Sequence, residues 1–234
     1  MREAVIFDVD GTLIDSVDFH ALAWHEAFGK FGHEVSFEAA RSQIGKGGDQ
    51  LLPMFLSEST ISEQGEEIEK WRGDRFKSAY LSLVRPFSAV PELMNRLRQD
   101  GIAVAVASSA KTEELSTYLD IAGVTNLVDV TVSSDDAKHS KPAPDIFQSA
   151  ISKLGVRPCD AVTVGDSPYD AEAAVRAGIR PIGVLCGGFT EAALHAGGCT
   201  DVYPSPSALY ACFDSTPLLR RLSHQPLLRV AASN

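Results

Sequence analysis

A doubly wound α/β fold is predicted here: a Rossmann-like, mostly parallel sheet with a small all-helical unit inserted after its first strand. Three observations predict it. Apolar runs recur along the chain at Ala4–Phe7 and at residues 102–107, 127–132, 161–164 and 181–185. Most lack polar alternation, as strands covered on both faces do. Helical patterns fall between the later runs, and a glycine stands just past each of them. Finally, the stretch from Asp15 to about Val84 shows helical periodicity and no convincing strand.

In chain order, Ala4–Phe7 is the first strand and the insert follows at once. Ala21, Trp24, Phe28 and Phe31 recur at helical spacing, with Asp15 or Ser16 available to cap the helix, and residues 51–56 and 68–83 supply further helices. Helices at Val90–Gln99, Thr112–Ala122, Asp145–Leu154 and residues 170–177 stop at Gly101, Gly123, Gly155 and Gly178. The expected division is a core of residues 1–14 and 86–215, a helical cap of residues 15–85, and a C-terminal tail of residues 216–234 interrupted by Pro217 and Pro226. An insert at that point stands at the carboxyl end of the sheet, where open α/β folds bind ligands. It is expected to act as a lid.

Composition narrows the function. Apolar residues make up 44% of the 234 and charged residues 22%, so a packed core is expected. The net charge of −10, with Arg220-Arg221 as the one adjacent basic pair, argues against a nucleic-acid surface. Cys159, Cys186, Cys199 and Cys212 form no CxxC pair, which argues against a zinc site or a disulfide framework. No apolar stretch approaches membrane-spanning length, and Met1-Arg2-Glu3 leads into a strand without a signal-peptide pattern. A soluble, cytoplasmic protein with no membrane partner is expected.

Asp8-Val9-Asp10-Gly11-Thr12 closes the first strand. Alternate residues of an extended segment point the same way, so both carboxylates can address one ligand. Two like charges at the end of an apolar strand call for a compensating cation, and a divalent metal is the first candidate. An ordinary Asp-Gly turn, with Asp10 capping a helix, is the competing reading. Three later strand ends carry suitable polar groups. Ser108-Ser109 offers hydroxyls and backbone N–H groups to a phosphate, or a plain helix cap. Lys141, in Ser140-Lys141-Pro142-Ala143-Pro144-Asp145, stands on a stiffened mount leading to a helix that Asp145 is expected to cap. Asp166, four residues before Asp170, offers a hard oxygen suited to Mg²⁺, and Asp170 either ligates, supports, or begins its helix.

Asp8-x-Asp10-Gly11-Thr12, Ser108, Lys141 and Gly165-Asp166-x-x-x-Asp170, in that order, resemble the motifs of the haloacid dehalogenase-like hydrolase superfamily. The insert looks like the small cap of its phosphoglycolate phosphatase, sugar-phosphate phosphatase and β-phosphoglucomutase subgroup. The resemblance implies that Asp8 is a nucleophile forming an aspartyl-phosphate and that Asp10 is general acid and then base. It implies Mg²⁺ held by Asp8, the backbone carbonyl of Asp10, and Asp166, with Ser108 and Lys141 on the phosphoryl oxygens, and Ser109 beside them is a further phosphate candidate. The partner implied is a small phosphorylated metabolite, handled by a monomer or weak homo-oligomer.

Specificity would come from the cap. His20 and Trp24 lie one helical turn apart and either face the substrate or belong to the cap core. Lys46 and Gly47, in Gly45-Lys46-Gly47-Gly48-Asp49, either approach the substrate or belong to a plain exposed loop. A phosphomutase is the alternative within the family. Gly165 and Asp49 depart from the mutase pattern, which has Glu and Arg there, so phosphatase is preferred. A non-enzymatic aspartyl-phosphate switch is the rival of another class, though such domains lack a helical insert after the first strand.

Overall fold

Short strands with no polar side must be covered on both faces, and the order of elements allows it. The computed structural model describes residues 3–215 of the chain. The expected tail, with Arg220-Arg221, lies outside the described residues. In chain order the strands are β1 (Ala4–Phe7), β2 (Ile14–Asp15), β3 (Arg85–Pro86), β4 (Ala103–Ala107), β5 (Val130–Val132), β6 (Ala161–Gly165), β7 (Arg180–Val184) and β8 (Asp201–Tyr203). The helices are α1 (Val17–Lys30), α2 (Phe37–Arg41), α3 (Gly48–Leu51), α4 (Glu58–Arg75), α5 (Val90–Gln99), α6 (Thr112–Ala122), α7 (Asp145–Leu154), α8 (Pro168–Arg176), α9 (Glu191–Gly197) and α10 (Pro206–Ala211).

The main sheet has the order β5-β4-β1-β6-β7-β8, parallel at every pairing. Its two faces divide by side-chain parity. Val5, Phe7, Val104, Val106 and Val164 point into one layer with Leu93 and Leu97 of α5 and Leu115 and Leu119 of α6. Ala4, Ile6, Ala103, Ala105 and Ala107 point into the other, where the small alanines make room for Phe147 of α7 and for Ala173 and Ala174 of α8. β1 lies between β4 and β6, where the strand order reverses. A crevice opens at the carboxyl ends of strands at such a point.

The helices α1 to α4 fold around a cluster of their own, built on Ala21, Trp24, Phe28, Leu51 and Ile68. The chain leaves and rejoins the sheet side by side through the antiparallel pair of β2 and β3. The cap therefore hangs from a two-stranded stem at the mouth of the crevice.

Several local expectations are corrected. The strand expected at residues 127–132 shrinks to Val130–Val132, because Leu127 closes a turn on Val124 O and the Asp129 carboxylate takes the Val104 N–H at 2.9 Å. The edge strand β8 was not anticipated; three residues carry too little periodicity. The cap helix expected from residue 68 begins at Glu58, with the Ser57 hydroxyl accepting from Thr60 N, and it ends at Arg75 before a π turn and a 3₁₀ turn. The short α2 was also missed. Ser16 occupies the N-cap position of α1 without a capping hydrogen bond; its hydroxyl is used elsewhere. Asp145 does not cap α7: Pro144 holds that position, and the Asp145 carboxylate accepts from His139 N at 3.1 Å.

Phe147 is fully buried between β4 and α7 and lies 5.4 Å from the Lys141 ammonium, so it joins core to crevice. Phe147→Ala is expected to lower unfolding free energy by about 3–5 kcal/mol, seen as a fall in urea midpoint with an unchanged denaturant slope.

Candidate active site

Four backbone segments meet at the carboxyl ends of β1, β4 and β6. The Asp8 N–H extends the ladder to Val164 O at 2.9 Å, which fixes the first carboxylate at the sheet's centre. Asp166 follows β6 directly and rests against Gly11 and Gly187; a Cβ on either glycine would fall on its carboxylate. Gly11 also has φ +80°, a left-handed turn that a side chain would strain. Asp170 sits in the first turn of α8, where its Oδ2 accepts from the Ser167 hydroxyl at 2.6 Å and the Ser167 N–H at 3.2 Å. Ser167 in turn caps the helix, so Asp170 both begins α8 and turns its Oδ1 to the crevice.

Asp8, Asp166 and Asp170 are all buried, and one oxygen of each lies within 4.8 Å of the others. Thr12 Oγ1 stands 3.4 Å from both Asp8 and Asp166. Lys141, 1% exposed, reaches in from the loop before α7. Its ammonium donates to Asp8 Oδ1 at 2.5 Å and to Ala107 O at 3.2 Å, and pairs with Asp170 Oδ1 at 2.7 Å. Burial pushes the Asp8 carboxyl up to about 7; Asp170 adds to this and Lys141 opposes it. Burial, then Asp170 and Asp8, push Asp166 well above the ordinary carboxylate range. Burial works to lower the Lys141 ammonium, but Asp170 and Asp8 outweigh it and hold the pKa high. With all three carboxylates ionised, the one ammonium leaves two negative charges among buried carboxylate oxygens. That donor set fits a hard divalent cation.

Asp10 stands apart from this cluster. Its Oδ1 accepts from the Ser16 hydroxyl at 2.5 Å and lies 2.9 Å from His20 Nε2. Burial works to raise its pKa, but His20 and Ser16 hold it below the usual carboxylate range. The Asp10 carboxylate thus belongs to a separate pair, so its side chain is not in the metal-competent group. His20 is buried and stacked on Phe76 at 3.9 Å.

A cavity of about 610 Å³ lies over these groups, lined by Asp8, Asp10 and His20 from below and by Lys46, Gly47 and α4 residues from the cap. Ser109 faces it with an Oγ that has no partner among the described residues. Ser108 is fully buried behind, its hydroxyl accepting from Ala110 N at 3.1 Å. Lys46 donates to Gln43 Oε1 at 2.6 Å and lies 4.6 Å over the Tyr169 ring. Gly47 packs so closely on Ser140 that a side chain would collide with it, while the Asp49 carboxylate takes the Ser140 N–H at 3.1 Å. The Gly45–Asp49 loop is therefore docked on the core beside Lys141 rather than plainly exposed. Trp24 is placed differently from the substrate-facing option: it is in the cap core, stacked on Phe28, and does not line the cavity.

Sequence reasoning missed the bond from Ser16 to Asp10, because the serine reads as a helix cap. It also missed Arg72 and Tyr118, both of which line the cavity. The i, i+3, i+4 spacing of Glu66, Glu69, Lys70 and Gly73 was the available signal for a polar helix face turned inward.

Residues 5–184 match the family model of the haloacid dehalogenase-like hydrolases. A phosphoglycolate phosphatase of Aquifex aeolicus is 32% identical over 185 residues, covering 78% of this chain and 84% of its own. The fructose-1-phosphate phosphatase YqaB of Escherichia coli is 28% identical over 181 residues, covering 77% of this chain and 95% of its own. A hydrolase from Pseudomonas syringae of solved structure superposes with a TM-score of 0.82 at 26% identity, over 91% of this chain and 98% of that one.

The carboxylate cluster has a stability signature. Between the unfolded carboxylate pKa of 3.8 and about 7, folded Asp8 keeps a proton that the unfolded chain has released. Metal-free stability is thus favoured at low pH and lost as pH rises through that window. Added Mg²⁺ should raise the melting temperature at pH 8 clearly more than at pH 5. Asp166→Asn should melt higher than the parent at pH 8 without metal and lose most of the Mg²⁺ response, both read by differential scanning fluorimetry.

Proposed function

The chain belongs to the haloacid dehalogenase-like hydrolases, and on that footing we propose that it is a Mg²⁺-dependent phosphatase that cleaves a small phosphate monoester through an aspartyl-phosphate on Asp8. The observation that carries the reading is the buried Asp8–Lys141–Asp170 contact, with Asp166 alongside, which reaches the cavity between core and cap through Asp8. Bound Mg²⁺ would be held by Asp8 and Asp166, with Asp170 supporting, and would offset phosphoryl charge.

The rest falls to the chain's own groups. The Asp8 carboxylate attacks phosphorus, and the P–O bond to the alcohol breaks. Lys141, which donates to Asp8 and Ala107 O, would turn the N–H that faces Asp170 toward a phosphoryl oxygen, and the unpartnered Ser109 hydroxyl and nearby backbone amides would take another. Asp10 gives a proton to the departing oxygen. It then takes one from the water that attacks phosphorus and restores Asp8. Held by His20 and Ser16, Asp10 is poised as a base; turning away from them raises its proton affinity and suits it to the acid step. His20 thus acts through Asp10, as a positioning residue. The cap roofs part of the cavity, and closing it further over substrate would exclude bulk water and strengthen each of these charges.

Support for a phosphatase rather than a mutase comes from the cap loop, where the Asp49 carboxylate is taken up by the Ser140 amide. The cysteines among the described residues are unpaired, and no helix among them is long and apolar enough to cross a membrane, which fits the cytoplasmic setting we infer.

Asp8→Asn should reduce Mg²⁺-dependent release of phosphate from p-nitrophenyl phosphate by ~10³-fold or more while circular dichroism stays unchanged; retained turnover would refute the nucleophile. His20→Gln removes a partner that lowers Asp10. The alkaline limb of kcat/KM should then move to higher pH, with a lower maximum. An unshifted limb would detach His20 from the acid.

A further inference from the structure

Lys141 is a buried ammonium carried by an irregular stretch of backbone. Residues 137–144 link a 3₁₀ turn to α7 and form neither strand nor helix. Pro142 and Pro144 remove two backbone donors from the stretch. Side chains around it must therefore fix it, and among the described residues three bond to its backbone. The Asp145 carboxylate accepts from His139 N at 3.1 Å, but it belongs to the helix that the stretch itself enters. The Asp49 carboxylate accepts from Ser140 N at 3.1 Å, but it belongs to the cap. The third anchor is Arg176, in the last turn of α8. Its Nη1 donates to Pro142 O at 2.8 Å, across 34 residues of chain. Its Nη2 donates to Glu172 Oε2, one turn earlier on α8, at 3.1 Å.

The spacing of Glu172 and Arg176 alone reads as a solvent-facing helical pair of small consequence. The bond to Pro142 gives Arg176 another part. Asp170, in the first turn of α8, lies 2.7 Å from the Lys141 ammonium. Arg176, in the last turn, holds the carbonyl of the residue next to Lys141. The two are six residues apart, about 9 Å along a helix. One rigid helix thus holds both the head and the foot of the lysine. A guanidinium suits the second task, because its planar fork meets Glu172 and the carbonyl at once.

We propose that Arg176 is a positioning residue for the reaction, acting on the phosphoryl group through Lys141. The inference rests on the phosphatase reading above, in which the Lys141 ammonium meets a phosphoryl oxygen. Losing the Pro142 bond frees the foot of the lysine, while Asp8 and Asp170 still draw its head toward the carboxylates. The ammonium is then poorly aimed at phosphate, and the cost falls on the transition state.

Two substitutions test this. Arg176→Met removes the bond, and Arg176→Lys keeps one donor for the carbonyl. Three quantities are read for each: kcat for p-nitrophenyl phosphate, the Mg²⁺ concentration giving half-maximal activity, and the Kd and stoichiometry of orthovanadate with Mg²⁺ present. The last comes from isothermal titration calorimetry, since vanadate takes up the shape that phosphorus passes through. Arg176→Met should lower kcat about tenfold and weaken vanadate by a similar factor at unchanged stoichiometry. Arg176→Lys should recover most of both losses. Mg²⁺ activation should not weaken, because an ammonium drawn away from the carboxylates leaves more charge for the ion.

A fall in kcat with vanadate Kd unchanged overturns the proposal, since a merely structural arginine would cost folded protein and not aim. Unchanged kcat and Kd overturn it too, leaving a surface pair. Weaker Mg²⁺ activation would point to a disturbed Asp170 and would also overturn it, as would Arg176→Lys no better than Arg176→Met. Failure of wild type to hydrolyse the ester with Mg²⁺ would instead bring down the phosphatase reading. Should Arg176→Met not fold, Arg176→Gln reads the same quantities.

Discussion

The ammonium of Lys141, wedged between Asp8 and Asp170 in a place water does not reach, is the contact on which the rest of the structure turns. Its worth is not chiefly stability. Buried ion pairs rarely repay their desolvation in full, and removing one partner exposes the other's cost, typically about 3–5 kcal/mol. What the contact does is set a charge count. One ammonium cannot neutralise three carboxylates, so the folded chain holds an unfilled demand for positive charge where the sheet's three central strands end. The core serves that arrangement: parallel strands carry Asp8 and Asp166 to the same level, and α7 with Phe147 holds Lys141 above them.

The cap stands over the charged cluster and forms one wall of the cavity beside it. Near the charged cluster its contacts with the core are polar: Asp49 on the Ser140 amide, Tyr169 on Ser42 O at 2.6 Å, and Arg41 on Gly187 O at 3.2 Å, while Phe76 packs edge-on against Tyr118 in the core's own apolar cluster. Each of the polar contacts lies next to a member of the buried charged cluster, since Ser140 precedes Lys141, Tyr169 precedes Asp170 and Gly187 touches Asp166. Cap position and the geometry of the charged cluster are therefore read by the same backbone segments.

Much of the architecture was legible because its signals are local. Valine and alanine runs gave the parallel strands, and glycines such as Gly123 and Gly155, both at positive φ, gave the helix ends. Asp8, Lys141 and Asp166 stood out because charge at the end of an apolar strand conflicts with its surroundings. What stayed hidden depends on tertiary contact. Ser16 reads as a helix cap, yet its hydroxyl is taken by Asp10. Trp24 has the size of a substrate platform but holds up Arg72 instead. Arg72 itself sits in a helix of mixed charge, where composition gives no reason to single out one arginine. The edge strand β8 carries three residues, too few for a period to appear.

Proton release on metal binding tests the central claim most directly, that a charge-deficient carboxylate cluster awaits a dication. Isothermal titration of Mg²⁺ into the metal-free protein, in buffers of different ionisation enthalpy, counts the protons displaced. The account predicts measurable release near pH 6, where Asp8 holds a proton that the ion must expel, fading as pH rises above 8. Binding with no release at pH 6, or no binding at either pH, would contradict it.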